Sequence, residues 1–576
     1  MSIQSLKIEL SVPAKMRDGT ILRADIYRPE DTEKYPAILL RTPYNKNLMA
    51  RFHQYVFDPI RAVKNGYVVV IQDTRGRYDS EGDFIPFLWE KDDGYDSVEW
   101  VSMQSWSNSM VGMTGGSYLG VTQLAAASAQ PPHLKAIFPM FTGTNKDLFR
   151  YGGAFNFQTL LIWSLVLVQD QIMKKALSPN EKKQAILKAG QLLDEIQENY
   201  WYLPLKDFPF FMEYDLCYFF KEILEHCEFD QYWDEKNVFE PDKINIPAYF
   251  VNGWYDIFPI HYQKLTNKKN NIRQQPNNNK LLIGPWAHSP YLHRMVGELD
   301  MGLFSQGDVI DLTGIQIRWF DHWLKGIDNG IMDEPPVRIF VMGEKTWRHE
   351  NEWPLARTLY AKYFIHSGGG ANNLAGDGCL STSQPADQPP DMFKYNPMEP
   401  VPTKGGAVLD VFNSGPCDQR EIEKRNDVLV YTSDPLEDEL EVTGPITMRF
   451  YASSSTIDTD FTAKLVDVYP DGRAYNVQEG IVRARYRNGQ LPECSELIEP
   501  GRVYEYNVDL GLTSNVFLPG HAIRIEISSS NFPKHDRNLN NGESYFDSIN
   551  WNVAEQRIYH NQDYPSHIVL PVIPRI

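Results

Sequence analysis

A glycine-rich turn at residues 115–120 carries the serine that is best placed to act as a nucleophile. The turn reads Gly-Gly-Ser-Tyr-Leu-Gly, with Ser117 between a strand-like apolar run and an Ala- and Leu-rich run that predicts a helix. Small residues at such a junction allow a tight, strained turn that exposes the serine hydroxyl at a sheet edge. The usual pattern is G-x-S-x-G, whereas the second glycine here comes one residue late, at Gly120. The pattern alone also fits an ordinary glycine-rich turn.

A serine nucleophile needs a base, and the base needs a carboxylate that orients it. Asp256 ends NGWYD after the strand-like run AYFVN, and His288 ends GPWAH after the strand-like run KLLI. The carboxyl ends of parallel strands meet at one edge of a sheet, so we expect both side chains near Ser117. The order serine, acid, histidine is the one that accompanies this kind of serine turn.

Other residues compete for the roles of base and acid. The chain has 13 histidines, and His261, His293 and His322 are close enough in sequence to be rivals of His288, although none closely follows a strand-like run. Asp73 follows the run YVVVI and is the rival acid. It precedes the serine, however, and its neighbours at 74–77 indicate a charge-paired structural turn.

The elements that must position these residues alternate between strands and helices. Short apolar runs at 37–40, 67–71, 110–113 and 134–138, and again at 248–252 and 280–283, predict strands buried on both faces of a parallel sheet. Helix-like runs lie between them, and a Trp-rich helix ends at Gly326. This alternation predicts an α/β fold for residues 1–145 and 241–335.

Two segments have a different character. Residues 146–240 contain helix-like runs at 178–200 and 214–227, which predict a helical cap inserted in the α/β core. From residue 336 to 576, short alternating runs separated by turns such as PDG and LPG predict an all-β sandwich or jelly roll.

Composition limits the partners and the location. The net charge is −19, from 56 basic against 75 acidic residues, and this sign repels nucleic acid and disfavours anionic membranes. The five cysteines form no CxxC pair, which fits neither a disulfide framework nor a zinc site. No signal peptide is visible, and the apolar stretch at 160–168 is far shorter than the about 20 residues that span a membrane. We expect a cytoplasmic protein.

Several motifs in a fixed order resemble the cocaine-esterase-like hydrolases, which are related to Xaa-Pro dipeptidyl peptidases and α-amino-acid ester hydrolases. The resemblance covers nearly the whole chain, and GxSYxG is this family's form of the serine turn. The motifs are RTPYNK at 41–46, QDTRGRYDSEGDF at 72–84, the run at 93–120, NGWYD at 252–256, GPWAH at 284–288, RWFDHWLKG at 318–326, and the β-region runs at 458–487 and 528–538.

The resemblance implies an α/β-hydrolase core with an inserted helical cap and a C-terminal jelly roll. It implies Ser117 as the nucleophile, Asp256 as the acid and His288 as the base. It also implies an oxyanion hole made by the Tyr44 hydroxyl and the backbone N–H of Tyr118. The expected activity is that of a serine hydrolase acting on small carboxylic esters or amides, with no metal and no organic cofactor.

One departure from the relatives bears on the substrate. The α-amino-acid ester hydrolases hold the substrate ammonium with carboxylates, two of which follow closely after the triad acid, whereas residues 257–259 here are Ile, Phe and Pro. A free α-amino group is therefore not expected in the substrate, although Glu213 or Asp215 of the cap could substitute. The alternatives are an Xaa-Pro dipeptidyl peptidase, a β-lactam or amide acylase and, in another class, a carbohydrate-binding protein.

The substrate pocket is expected to be apolar and aromatic. Its candidates are Trp163 of the cap and Trp254, Phe258 and Trp286 beside the triad, for each of which core packing is the alternative. The sequence leaves the oligomeric state open and is compatible with a homo-oligomer.

Overall fold

The computed structural model describes residues 5–48, 57–237, 239–258, 278–288, 293–410, 413–544 and 546–574. An α/β unit is followed by an all-β unit, as the sequence predicts. Across these described ranges, no helix combines the length and the apolar character needed to cross a membrane.

One large sheet organises the α/β unit. Ten strands lie in the order β1-β2-β4-β3-β5-β6-β9-β10-β13-β14, and pairing is parallel from β4 through β3 and onward to β13. The strands of the α/β unit are β1 (Leu6–Lys15), β2 (Ile21–Pro29), β3 (Tyr35–Thr42), β4 (Val68–Asp73), β5 (Ser107–Gly116), β6 (Leu134–Met140), β7 (Arg150–Tyr151), β8 (Ala154–Phe155), β9 (Tyr249–Tyr255), β10 (Lys280–Ala287), β11 (Met295–Val296), β12 (Leu299–Asp300), β13 (Val337–Val341) and β14 (Thr346–Glu350). Outside the large sheet, β7 pairs with β8 and β11 pairs with β12 in two separate two-stranded sheets.

The predicted apolar runs all lie in the central parallel strands. Every residue of β4, β9 and β10 is buried, because helices cover both faces of the sheet. Strands β13 and β14 lie beyond residue 335, where the sequence analysis ends the core. They nevertheless continue this sheet, since β13 pairs in parallel with β10.

Helices cover the first sheet and occupy much of the segment 146–240 that the sequence analysis predicts to be a cap, and one short helix lies in the all-β unit. They are α1 (Pro59–Lys64), α2 (Glu90–Ser102), α3 (Tyr118–Ala129), α4 (Asn145–Phe149), α5 (Phe157–Lys174), α6 (Pro179–Asp194), α7 (Ile196–Asn199), α8 (Pro209–Tyr214), α9 (Tyr218–Glu225), α10 (Gln231–Glu235), α11 (Leu312–Lys325) and α12 (Arg420–Glu423). Helix α6 begins at a capping box between Ser178 and Glu181. The predicted helix at 214–227 is shorter in the structure, because Asp215 and Cys217 take left-handed conformations before α9.

The all-β unit is built on a second sheet. Its order is β17-β24-β19-β25-β15-β16-β18-β23-β20-β21, with β22 paired to β19, and nearly all of its pairs are antiparallel. The strands are β15 (Leu359–His366), β16 (Cys379–Ser381), β17 (Asp391–Tyr395), β18 (Leu429–Thr432), β19 (Leu440–Ser454), β20 (Asp460–Val468), β21 (Ala474–Arg483), β22 (Tyr504–Phe517), β23 (Ala522–Ser528), β24 (Ala554–Tyr559) and β25 (His567–Val572).

Candidate active site

Ser117 lies in the sharp turn between β5 and α3. Its backbone has φ +59° and ψ −127°, a conformation that L-residues rarely adopt and that is found mostly where structure serves function. A Cβ at Gly120 would lie 2.5 Å from the Cβ of Thr142, so the first turn of α3 can pack against the chain after β6 because this residue is glycine. The late glycine of the motif therefore has a packing reason.

The structure brings Ser117, His288 and Asp256 together. The Nε2 of His288 lies 2.9 Å from the Ser117 Oγ, and its Nδ1 lies 3.2 Å from the Asp256 Oδ1. The side chain of Asp256 is fully buried, whereas that of His288 is partly exposed. Neutral imidazole in this position can accept the serine proton while its other nitrogen donates to the carboxylate.

The acid is held in place by its own loop. The Asp256 Oδ1 also accepts a hydrogen bond from the backbone N–H of Phe258, 2.8 Å away. The other carboxylate oxygen is buried and makes no hydrogen bond to a described residue. The bond from Phe258 fixes the carboxyl plane, so the oxygen that faces His288 is determined by the backbone.

The rival acid and the two rival bases that the structure describes lie elsewhere. Asp73 accepts the backbone N–H of Lys46 at 2.7 Å and lies 3.7 Å from its Nζ, and burial raises the pKa of Asp73 to about 7. His293 is exposed, and His322 lies on α11 with its ring 4.8 Å from that of Trp323. The remaining rival, His261, lies outside the described residues.

The turn after Asp73 is charge-paired, as the sequence predicts. Arg75 contacts Asp93 and Asp18, with N–O distances of 2.5 and 2.6 Å. Arg77 is buried, and its Nε donates to the backbone oxygen of Pro43, 2.9 Å away. The turn therefore holds the chain immediately before Tyr44.

Tyr44 lies two residues beyond β3, beside the nucleophile. Its hydroxyl accepts a hydrogen bond from the indole Nε1 of Trp163, 3.0 Å away. Burial raises the pKa of Tyr44, and hydrogen bonds with Trp163 and Ser117 oppose the rise. A neutral phenol at this position can donate a hydrogen bond to an oxyanion formed at Ser117.

Tyr118 offers its backbone, not its side chain. It is the first residue of α3, where an N–H has no acceptor within the helix. Its hydroxyl is occupied, since it donates to the Glu90 Oε1 at 3.0 Å and accepts the Phe87 N–H at 2.9 Å. Burial raises the pKa of this phenol well above its usual value. The ring thus anchors the turn while the N–H stays available beside Ser117.

A cavity of about 370 Å³ opens onto Ser117 and His288. Trp163 of α5 and Phe258 line it, as the sequence analysis expects, and the Phe258 ring centre lies 5.7 Å from that of His288. Its walls are largely apolar, which suits an acyl group or an aromatic ring. Within the described ranges, no three His, Cys, Asp or Glu side chains form a metal-binding group.

Trp254 and Trp286 do not line this cavity, contrary to expectation. Each is almost fully buried, and each donates its indole N–H to a backbone oxygen, that of Phe340 for Trp254 and that of Ser305 for Trp286. A Cβ at Gly284 would lie 2.3 Å from the Trp286 ring, so the glycine of GPWAH makes room for that ring. Both tryptophans are core residues beside the triad.

The sequence analysis missed one wall of the cavity. Val408, Leu409, Asp410 and Ser414, from the all-β unit, face the same space as Ser117. The short run AVL at 407–409 could be recognised only as apolar, because its contact with the cavity joins residues almost 300 positions apart. No local pattern in the sequence indicates such a contact.

Two family descriptions match successive parts of the chain. Residues 18–290 match the family described as X-Pro dipeptidyl-peptidase (S15 family), and residues 329–569 match the X-Pro dipeptidyl-peptidase C-terminal non-catalytic domain. The chain is 38% identical to the cocaine esterase of Rhodococcus sp. (strain MB1 Bresler) in an alignment of 578 positions that covers 98% of this chain and 98% of the relative.

Two solved structures share the fold over the full length. An aminopeptidase from a marine sediment archaeon, Thaumarchaeota archaeon, superimposes with a TM-score of 0.79 at 24% identity, covering 99% of this chain and 97% of the other. An α-amino acid ester hydrolase gives a TM-score of 0.76 at 24% identity, with the same coverage. The identity of 38% to cocaine esterase over almost its entire length, together with the two family matches, shows that the chain belongs to the cocaine-esterase-like serine hydrolases of the S15 family.

Proposed function

We propose that the chain hydrolyses carboxylic esters through an acyl-enzyme on Ser117. The observation that carries the proposal is His288, which bridges the Ser117 hydroxyl and the buried Asp256 carboxylate at one end of an apolar cavity. His288 accepts the serine proton as Ser117 attacks the acyl carbon, and then returns it to the departing alcohol. Water repeats the sequence and releases the acid.

Two donors stabilise the oxyanion in this proposal. The Tyr44 hydroxyl approaches from the loop after β3, and the Tyr118 N–H comes from the first turn of α3. Both are fixed before substrate binds, since Trp163 bonds the Tyr44 hydroxyl and Glu90 holds the Tyr118 ring. Preorganised donors of this kind are usually the largest single contribution to acyl transfer.

The expected substrate is a small ester with an apolar acyl group. The apolar cavity walls supplied by Trp163, Phe258 and Leu409 support this choice. It is also supported by the relative at 38% identity, which is a cocaine esterase. The apolar Ile257 and Phe258 after the triad acid speak against recognition of a free α-amino group. We therefore favour ester hydrolysis over dipeptidyl-peptidase or acylase activity.

The finer architecture belongs to the same proposal. It comprises an α/β-hydrolase core, a helical cap at 146–240 and a C-terminal jelly roll, with the core continued to about residue 350 by β13 and β14.

We further propose a cytoplasmic enzyme, monomeric or homo-oligomeric, that works without nucleic acid or membrane partners. Fractionation of cells and sedimentation of the purified protein test the location and the oligomeric state.

Replacing the nucleophile tests the function. Ser117→Ala should lower ester turnover by about 10⁴-fold or more, because the acyl-enzyme cannot form. The assay uses p-nitrophenyl esters of graded acyl length beside aminoacyl- and Xaa-Pro-p-nitroanilides, with labelling by a fluorophosphonate. A Ser117→Ala variant that keeps a tenth of the activity would show that Ser117 is not the nucleophile. If the wild-type protein cleaved the Xaa-Pro anilide faster than the esters, it would be a peptidase and not an esterase.

A further inference from the structure

Trp163 reaches from the cap into the proposed oxyanion hole. It lies on α5, and its indole N–H donates to the hydroxyl oxygen of Tyr44 at 3.0 Å. Four rings surround the indole: those of Tyr118 and Phe87 stack on it with ring centres 6.2 and 6.1 Å away, and the ring centres of Phe149 and Phe219 lie at 6.0 and 5.3 Å. The indole is 8% exposed, so its donor group has a fixed direction.

The chemistry of the two groups determines where the tyrosine proton points. An indole N–H can only donate, whereas a phenol has one proton to give and an oxygen that accepts. Because the Tyr44 oxygen already accepts from Trp163, its own proton points away from the indole, and Tyr44 lines the same cavity as Ser117, whose side chain hydrogen-bonds the phenol. Accepting one hydrogen bond also makes the phenol a stronger donor of the next.

A second contact ties the same two elements together. The buried Arg77 donates from Nε to the Pro43 oxygen at 2.9 Å and from Nη1 to the Leu167 oxygen at 3.2 Å. Pro43 immediately precedes Tyr44, and Leu167 lies on α5 one turn after Trp163. The distance between α5 and the Tyr44 loop is therefore fixed by the backbone as well as by the indole.

We propose that Trp163 is a positioning residue for the oxyanion hole: its indole N–H holds the Tyr44 hydroxyl so that the hydroxyl proton faces the carbonyl oxygen of a substrate at Ser117. This inference deepens the proposed function and rests on it. It makes the cap part of the catalytic geometry, since the hole is complete only when α5 lies against the core. It also gives Trp163 a role beyond that of a cavity wall.

A residue that only lines the cavity and a residue that positions Tyr44 differ in which kinetic constant changes when the residue is replaced. Trp163→Phe keeps an aromatic ring in the stack but deletes the N–H. If the residue were only a wall, the substitution would change KM, and the change would vary with acyl length. If it positions Tyr44, kcat falls by a similar factor for every acyl length, because the lost bond acts on the transition state.

The test is a double-mutant cycle of Trp163→Phe and Tyr44→Phe in the full-length protein. The matched control is Trp233→Phe, also in the cap, whose indole N–H donates to the His226 oxygen at 3.0 Å and whose ring does not line the cavity. Turnover of p-nitrophenyl acetate and hexanoate is measured per active site, counted by fluorophosphonate labelling to completion. Misfolded protein is thus excluded from every rate.

We expect Trp163→Phe to lower kcat about tenfold with both esters, with KM changed less than threefold, and Trp233→Phe to stay within twofold of wild type. In the Tyr44→Phe background, Trp163→Phe should add less than a twofold loss, because the group that it positions is gone. The proposal would be overturned by full additivity of the two losses in kcat, by a Trp163→Phe kcat within twofold of wild type, or by an equal loss of kcat in Trp233→Phe. Absence of labelling and turnover in the wild-type protein would instead refute the esterase function itself.

Discussion

Removal of the Tyr44 hydroxyl is the most informative single change at this site. Tyr44→Phe deletes one atom that takes part in two hydrogen bonds, the one accepted from Trp163 and the one that we assign to the oxyanion. The ring stays in its edge-on contact with Tyr118, whose centre lies 6.5 Å away. The variant therefore tests the hydroxyl and leaves the packing in place.

The two lost bonds act on different quantities. Loss of one preorganised oxyanion donor lowers kcat by about 10²–10³-fold, or roughly 3–4 kcal/mol. The ground-state carbonyl gains less from that bond, so KM should change little. The Trp163 N–H loses its acceptor, which costs about 1–3 kcal/mol of stability in a sealed interior. Because the adjoining cavity of about 370 Å³ can admit water, we expect a cost near 1 kcal/mol.

The assay pairs steady-state kinetics with urea unfolding. Tyr67→Phe is the matched control, since that buried hydroxyl donates to the Asp321 Oδ1 at 2.7 Å but lies outside the cavity. We expect the control to lose stability and to keep its kcat, while Tyr44→Phe loses kcat. A Tyr44→Phe enzyme within threefold of the wild-type kcat would refute the reasoning. The N-terminus of α3, behind Ser117, would then be the main source of oxyanion stabilisation.

Two further variants test the carboxylates. Asp256→Asn should lower kcat by up to about 10⁴-fold, because the imidazolium of His288 loses its countercharge and its tautomer is less well fixed; an unchanged rate would assign the acid to another residue. Burial raises the pKa of Asp73 to about 7, so the stability that this carboxyl contributes is present below its unfolded pKa of about 4 and is lost as the pH rises through 7. Asp73→Asn should therefore gain stability relative to wild type between pH 5 and pH 8 in urea unfolding, and a constant difference would contradict the buried, pH-dependent ionisation.

The parts that could be predicted from sequence are those specified by neighbouring residues. Continuous apolar runs predicted the central strands, because a strand buried on both faces has no polar alternation. Helix α11 ends where expected, since Gly326 adopts the left-handed conformation that closes a helix. Ser117, Asp256 and His288 each follow such a strand, so sheet topology alone brings them to one edge.

The predictions that failed concern contacts between segments that are distant in sequence. Trp254 and Trp286 are close to Asp256 and His288 in sequence, yet both rings point into the core. Each indole N–H donates to a backbone oxygen there, and Gly284 leaves room for the Trp286 ring. Strands β13 and β14 come after the residue at which the core was predicted to end, and only the pairing of β13 with β10, and of β14 with β13, assigns them to the first sheet. Periodicity describes a strand and does not say which sheet it joins.

The all-β unit contacts the end of β9, the strand that leads to the proposed acid, Asp256. The Gln478 side chain, on β21, donates to the Trp254 oxygen at 2.7 Å, and the Tyr255 hydroxyl donates to the Asn476 oxygen at 3.3 Å. These bonds hold the last residues of β9, directly before Asp256. The same unit supplies Val408 and Leu409 to the cavity wall. Under the proposed function, its position therefore affects both the orientation of His288, through Asp256, and the space for the acyl group.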